Sequence, residues 1–244
     1  MSELIRGMVV GSPVIHSLSP TLHRSAFEFL GLHGTYSRQD VPVYSFTSFF
    51  TSARDSHDYF SITMPLKEEA LNLPIQIDPL AMRIQSANTL YRRGGEWHLT
   101  STDGSGLLSA LGHHGFNTFR KALVLGAGGT ARAVVGALDG VAQSISVLGR
   151  SSTRRNALSA AVLNSDFDYL RWGDNPNFEE YDLVVNTTPA GAADILADSL
   201  FPGKCSLLFD VIYKPWPTVL ASRWSDCGGD VISGLELLLY QAIA

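Results

Sequence analysis

The sequence predicts an α/β protein with mainly parallel sheets, and three observations carry that expectation. In the stretch KALVLGAGGTARAVVGAL, residues 121–138, a short apolar run (Ala122–Leu125) passes through a Gly-rich turn into small and apolar residues at helical spacing. That is strand, tight turn and helix. Elsewhere, short apolar runs alternate with helix-like stripes, the order that builds parallel sheets covered by helices. Finally, 244 residues with 45% apolar and 17% charged side chains suit one large domain or two modest ones with packed cores, not a disordered chain.

Composition also excludes classes of function. The formal net charge is -5 and no basic block is present, which argues against a nucleic-acid surface. Two cysteines, Cys205 and Cys227, are too few for a disulfide framework or a metal cluster and are expected as free thiols in a reducing cytoplasm. The start, MSELIRGMVVGSPVIHSLSP, has an apolar run interrupted by Gly, Ser, Pro and His, and reads as neither secretory signal nor membrane span.

Taken in order, Ile5–Val10 predicts a first strand, closed by Gly11-Ser12-Pro13. A helix follows, with Ser19 as its cap, Pro20 in its first turn, a stripe of Leu22, Ala26, Phe27 and Leu30, and Gly31 at its end. Ser17 and Ser19 suit two roles, capping the turn or presenting hydroxyls to a polyhydroxylated ligand. His16 and His23 lack acidic or thiol partners at metal spacing and are expected to be structural. Tyr36 and Val41 flank a second strand, and Val43–Ala53 forms a less regular helical unit. Residues 58–63 give a further strand, stopped by Met64-Pro65, and Leu66–Ala70 opens a helix. Lys67 falls in the first turn of that helix, where the dipole disfavours a cation. It is either a bland surface lysine or one held in a cleft to exchange protons. Asn88–Tyr91 and Trp97–Thr100 pair as a hairpin around Gly94-Gly95, and a helix begins after Thr102-Asp103-Gly104. Asp103 serves there as a cap acid or as the partner of Lys67.

The Gly-rich turn reads GAGGTA, with Ala131 where the dinucleotide pattern has its third glycine. Both a dinucleotide site and a merely compact turn are compatible with it. The next strand, Ser144–Leu148, ends at Gly149-Arg150-Ser151-Ser152-Thr153-Arg154-Arg155. An NAD site commonly places an acid there for the ribose hydroxyls. Here arginines stand instead, and Arg150 and Arg154 suit a 2′-phosphate, favouring NADP. Strands at Asp182–Asn186, Leu207–Ile212 and Val231-Ile232 follow, the second leading into the Pro-rigid loop Tyr213-Lys214-Pro215-Trp216-Pro217-Thr218. The last helix carries a stripe of Leu235, Leu238, Leu239, Ala242 and Ile243, interrupted by Gln241, which faces either solvent or a cleft.

Together GSPVIHSLSP, SITMPLKEEA, SANTL, STDGSG, GAGGTARA, VVNTTPAG, DVIYKPWPT and SGLELLLYQA, in this order, resemble the shikimate dehydrogenase family over nearly the whole chain. The resemblance implies two α/β domains separated by a deep cleft. Residues 1–104 plus 233–244 would form the substrate-binding catalytic domain, and residues 105–232 a Rossmann-like NADP-binding domain. It implies a cytoplasmic oxidoreductase that reduces 3-dehydroshikimate to shikimate with NADPH, in the biosynthesis of chorismate and the aromatic amino acids. Its partners would be those small molecules, with no nucleic acid, membrane or metal, and its state monomer or homodimer. By the same resemblance, Lys67 and Asp103 are the catalytic pair, and Ser17, Ser19, Thr63, Asn88, Tyr213 and Gln241 meet the substrate. The cofactor would lie on Gly126, Ala127, Gly128, Gly129 and Thr130, with its 2′-phosphate near Arg150, Ser151 and Arg154, and Val211 and Gly234 beside the nicotinamide. Two positions depart from the family's habit. Ser101 stands where asparagine is common, and Gly149-Arg150-Ser151 replaces Asn-Arg-Thr. Quinate or an aminated analogue as substrate, and a non-catalytic binding role, are the competing readings.

Overall fold

The computed structural model describes residues 4–200 and 206–243, and its contacts divide the chain into two compact units, one up to Thr102 and one from Asp103. Cys205 lies outside the described residues; Cys227 is buried and has a free thiol.

The first unit runs β1 (Ile5–Gly11), α1 (Ser19–Leu30), β2 (Gly34–Asp40), α2 (Phe46–Ala53), β3 (Tyr59–Ile62), α3 (Leu66–Glu69), β4 (Gln76–Ile77), α4 (Pro79–Ile84), β5 (Thr89–Arg93) and β6 (Glu96–Thr100). Its sheet has the order β2-β1-β3-β5-β6-β4. β1 pairs in parallel with β2 and β3, whereas β5 is antiparallel to β3 and to β6. Both faces of β1 are covered at its apolar C-terminal half, Met8–Val10. Val10 points to a core built with Phe46, Phe50, Phe60 and Trp97. Val9 points to the other face, with Val14, Phe27 and Tyr36. Fully burying each such side chain stabilises the fold by about 1.5–3 kcal/mol. The expected hairpin forms, with both Gly94 and Gly95 at positive φ in a two-residue turn.

The second unit runs α5 (Asp103–His113), β7 (Phe119–Leu125), α6 (Gly129–Leu138), β8 (Ala142–Gly149), α7 (Arg155–Ala160), β9 (Asp166–Arg171), β10 (Leu183–Asn186), β11 (Leu207–Asp210), α8 (Val219–Asp226), β12 (Asp230–Ser233) and α9 (Gly234–Ile243). Its six strands are all parallel, in the order β12-β11-β10-β7-β8-β9. That is the doubly wound dinucleotide-binding order, whose switch point lies between β7 and β10. Leu123, Leu125, Leu148, Leu208 and Trp224 fill one face of the sheet.

Three expectations are corrected. Ser19 does not cap α1: Leu18 holds the cap position without a side-chain bond, and Ser19 is already helical. The amide of Ser19 instead donates to Ser17 Oγ at 3.3 Å. The stripe expected on α9 does not face the core, since Leu235, Leu239 and Ile243 are exposed. Gly106 of α5 sets this orientation: a Cβ there would lie 2.6 Å from the Gln241 backbone nitrogen, so α9 presents its backbone at Gln241 to α5, and its buried residues are Gly234 and Leu237. Lastly, β4, α4, α7, β9 and α8 form where the periodicity argument anticipates nothing, being short or lying among polar residues.

Among the described residues no helix is long and apolar enough to cross a membrane.

His23 is structural, as expected. It stacks on Tyr36 at 4.0 Å and its Nδ1 pairs with the Tyr59 hydroxyl at 3.0 Å, fastening α1 to the sheet. Burial lowers its pKa from 6.5 to about 4. The folded state therefore resists a proton that the unfolded chain accepts below the ordinary value, and stability is lost as pH falls through that window. Urea melts between pH 7 and pH 4 should show a loss about 1–3 kcal/mol larger in the wild type than in His23→Gln, allowing for partial exposure. Equal losses in the two proteins would contradict this.

Candidate active site

In the first unit the site residues arise from strand ends. Parallel pairing carries the C-terminal ends of β1 and β3 to one edge of the sheet, and the antiparallel β5 starts there. The Thr63 amide donates to the Val10 carbonyl at 2.9 Å, and the Ser12 amide to the Met64 carbonyl at 3.0 Å. Those bonds hold the segment after β1 against the segment after β3. The Ala87 amide donates to the Lys67 carbonyl at 2.9 Å, and the Ile62 amide to the Asn88 carbonyl at 2.7 Å. Thr63, Lys67 and Asn88 are thereby brought to one edge. Ser17 and Ser19 sit at the start of α1, after the same end of β1, with Ser19 buried and Ser17 half-buried. Asn88 is 3% exposed and its amide is anchored at both atoms: Nδ2 donates to Thr102 Oγ1 at 3.0 Å, and Oδ1 accepts the Thr102 amide at 2.8 Å. Lys67 is half-buried in the four-residue α3. Ser101 is buried with its hydroxyl lacking a hydrogen-bond partner.

The remaining candidates belong to the second unit. Asp103 opens α5 and is buried. β7 leaves the sheet at Leu125, and Gly126 turns the chain at φ +103, a conformation that favours glycine. A Cβ there would also meet Thr187 Oγ1 at 2.7 Å. Thr187 is fixed in turn, its hydroxyl donating to the Leu125 carbonyl at 2.8 Å. α6 then starts after an extended Gly128 with no side-chain cap, and residues 126–130 are half-exposed. Its first-turn amides and the positive end of its dipole are therefore open to an anion. Arg154 reaches back over this turn, Nη1 donating to the Ala127 carbonyl at 3.2 Å. Arg150 and Ser151 are exposed beside it.

At the ends of β10 and β11 a buried network holds the loop that bears Val211 and Tyr213. Asp210 Oδ1 accepts from Asn186 Nδ2 at 3.1 Å and from the Ile212 amide at 3.1 Å, and Oδ2 accepts from Thr218 Oγ1 at 2.7 Å. Thr218 Oγ1 accepts the Ala221 amide at 3.0 Å and so caps α8. Burial raises the Asp210 pKa, a shift that these three bonds partly offset. A side chain at Gly234 would overlap the Val211 carbonyl, so only a glycine allows α9 to start there. Tyr213 is half-buried, and the half-buried Gln241 donates Nε2 to the Leu238 carbonyl at 2.9 Å. The network of Asp210, Asn186 and Thr218 is absent from the sequence argument. Its signal was the polar residue ending each of two apolar strands, LVVN and LLFD.

Comparison with known proteins identifies the family. Residues 9–90 match the model of the shikimate dehydrogenase substrate binding domain. The chain is 31% identical over 243 residues to an NADP(+) shikimate dehydrogenase of Staphylococcus aureus, covering 96% of this chain and 88% of that one. The chain belongs to the shikimate dehydrogenase family. Solved shikimate dehydrogenases share its fold. That of Mycobacterium tuberculosis superposes with a TM-score of 0.87 at 35% identity, covering 98% of this chain and 90% of that one. That of Thermus thermophilus, solved in complex with NADP(H) and shikimate, superposes at 0.84 and 33% identity, covering 97% and 90%. In this member of the shikimate dehydrogenase family, contacts group α9 with α5 in the second unit.

Replacing Asp210 with Ala strands two buried donors, Asn186 Nδ2 and Thr218 Oγ1. Each costs about 1–3 kcal/mol when left unpaired. Denaturant melts of Asp210→Ala should show a loss of at least about 1 kcal/mol; a smaller one would mean that the network does not hold this loop.

Proposed function

We propose that this protein is a cytoplasmic shikimate dehydrogenase, monomeric or dimeric, that reduces 3-dehydroshikimate to shikimate with NADPH. The observation that carries the reading is the edge of the first sheet, where one lysine, hydroxyls and an anchored amide converge: Lys67, Ser17, Ser19, Thr63 and Asn88. A cation with hydroxyl and amide donors and acceptors suits a polyhydroxylated carboxylic acid with one carbonyl to be reduced. The Thermus thermophilus relative, which holds shikimate and NADP(H), supports the same chemistry.

The second unit fits the cofactor. Gly126 lets the backbone approach a pyrophosphate, uncapped amides open α6, and guanidinium groups rather than carboxylates follow β8. Gly126, Ala127, Gly128, Gly129 and Thr130 would hold the pyrophosphate, Arg150, Ser151 and Arg154 the 2′-phosphate, and Val211 and Gly234 would border the nicotinamide. The chemistry a bound NADPH supplies is hydride donation to the ketone carbon.

The chain's own residues do the rest. The Lys67 ammonium donates the proton that the developing alkoxide requires, so that one hydride and one proton convert the ketone to a hydroxyl. In the oxidative direction the neutral amine takes that proton back. Asp103 orients the ammonium and accepts from the neighbouring substrate hydroxyl. Ser17, Ser19, Thr63, Asn88, Tyr213 and Gln241 meet the substrate's hydroxyls and carboxylate. In this reading residues 1–104 and 233–244 form the substrate-binding domain, and residues 105–232 the nucleotide domain.

The direct test follows absorbance of NADPH as shikimate is added with NADP+. Wild-type protein should generate NADPH, and its inertness toward shikimate would sink the proposal. Lys67→Ala should lower turnover by about 10²–10⁴-fold with a much smaller change in shikimate affinity. Near-wild-type turnover would remove Lys67 from the reaction. Arg150→Ala together with Arg154→Ala should weaken NADPH binding by at least about tenfold more than NADH binding, given the usual worth of charge-assisted bonds and their exposure. Equal weakening, measured by titration, would show that neither reads the phosphate.

A further inference from the structure

Gly149 ends β8, and the fold shows what fills the space a side chain there would take. β8 and β9 are parallel neighbours in which Val147 lies opposite Tyr169 and Gly149 opposite Arg171. Side chains of facing residues share a face, so Tyr169 lies on the side to which a residue at 149 would point. The phenol leans along the strand into that volume: any Cβ at position 149 would overlap the Tyr169 hydroxyl. A side chain at 149 would have to displace that hydroxyl.

The hydroxyl so placed donates to the Ser151 carbonyl at 2.6 Å. Ser151 is extended and leads into the short turn Ser152–Arg154, and Ser151 Oγ donates to Thr153 Oγ1 at 3.3 Å within it. At its far end the turn is clipped to the glycine loop by Arg154 Nη1 on the Ala127 carbonyl. The segment that carries Arg150, Ser151 and Arg154 is thus fixed at two points, and Tyr169 is one of them. Arg154 also lies near enough to favour the phenolate electrostatically, against the burial that raises the Tyr169 pKa.

We propose that Tyr169 is a positioning residue for nucleotide choice: through Ser151 it holds the hydroxyl and guanidinium groups that read the ribose 2′-phosphate. This rests on the NADP reading above. Because only NADP carries the 2′-phosphate, loosening this segment should weaken NADP+ binding and leave NAD+ binding nearly untouched. A purely structural tyrosine would weaken both alike.

Calorimetric titration of NADP+ and of NAD+ into wild type, Tyr169→Phe and Gly149→Ala provides the test. Tyr169→Phe keeps the ring and removes the bond to Ser151. Gly149→Ala keeps the tyrosine and pushes its hydroxyl away. In each variant the preference for NADP+ over NAD+ should fall by about three- to tenfold, the worth of one hydrogen bond. An unchanged preference, or equal weakening of both nucleotides, overturns the inference while leaving the NADP reading intact. Should Tyr169→Phe not fold, Gly149→Ala decides by the same ratio. Failure of both to fold would make the contact a determinant of folding and overturn the inference. Wild-type protein that binds neither nucleotide would overturn both this and the NADP reading.

Discussion

Parallel pairing is the constraint on which both units depend. Strands that run the same way end at the same edge, and their last amides and carbonyls are left for the connecting segments to satisfy. In the first unit the Val10 carbonyl takes the Thr63 amide, and across the antiparallel pair beside it the Asn88 carbonyl takes the Ile62 amide. In the second, the Leu125 carbonyl takes both the amide and the hydroxyl of Thr187, and the Asn186 carbonyl takes the Val211 amide. The bonds that finish each sheet are thus the bonds that aim the functional loops. A ligand at such an edge meets backbone already immobilised by folding, which reduces the ordering that binding would otherwise have to supply.

The same economy explains why so many candidate residues are glycine or small. Gly126 must turn at positive φ with Thr187 against it, Gly234 must clear the Val211 carbonyl, and Gly149 must clear the Tyr169 hydroxyl. At each place a neighbouring group occupies the volume of a side chain. Gly106 plays the equivalent part between α5 and α9, and through it the register of Gln241 is set by backbone contact and not by an apolar stripe.

What was legible from the residues followed from how local the cause was. The strand-turn-helix at residues 119–138, the hairpin at Gly94-Gly95 and the stop at Gly31 depend on neighbours in sequence, and they form where expected. The exposure of Leu235, Leu239 and Ile243 depends on Gly106, more than 120 positions away, so no window of the sequence contains its cause. Tyr169 is likewise silent in isolation. It lies in the polar stretch DFDYLR, and its meaning comes from Gly149 on the neighbouring strand. The Asp210 network was hidden for a related reason: a polar residue ending an apolar strand looks like the beginning of a loop until its three donors are seen. The candidate catalytic and substrate residues were named by resemblance to a family; composition and spacing alone left each of them an ordinary alternative.

Charge poses the last physical question, since a chain of net charge -5 must attract polyanionic nucleotide. Screening resolves it. At physiological ionic strength the Debye length is about 8 Å, so carboxylates spread over the surface act weakly at the nucleotide site. Groups close to a bound anion act strongly, and in the proposed site these would be the first-turn amides of α6, Arg154 over Ala127, and Arg150. Their advantage depends on staying put, because an exposed arginine that must be ordered on binding gives back much of its attraction as lost side-chain entropy. This is where the phenol bonded to Ser151 matters most. It lies on the sheet rather than in the loop, and it adds an anchor from outside to the loop's own bonds, Arg154 on the Ala127 carbonyl and Ser151 Oγ on Thr153 Oγ1.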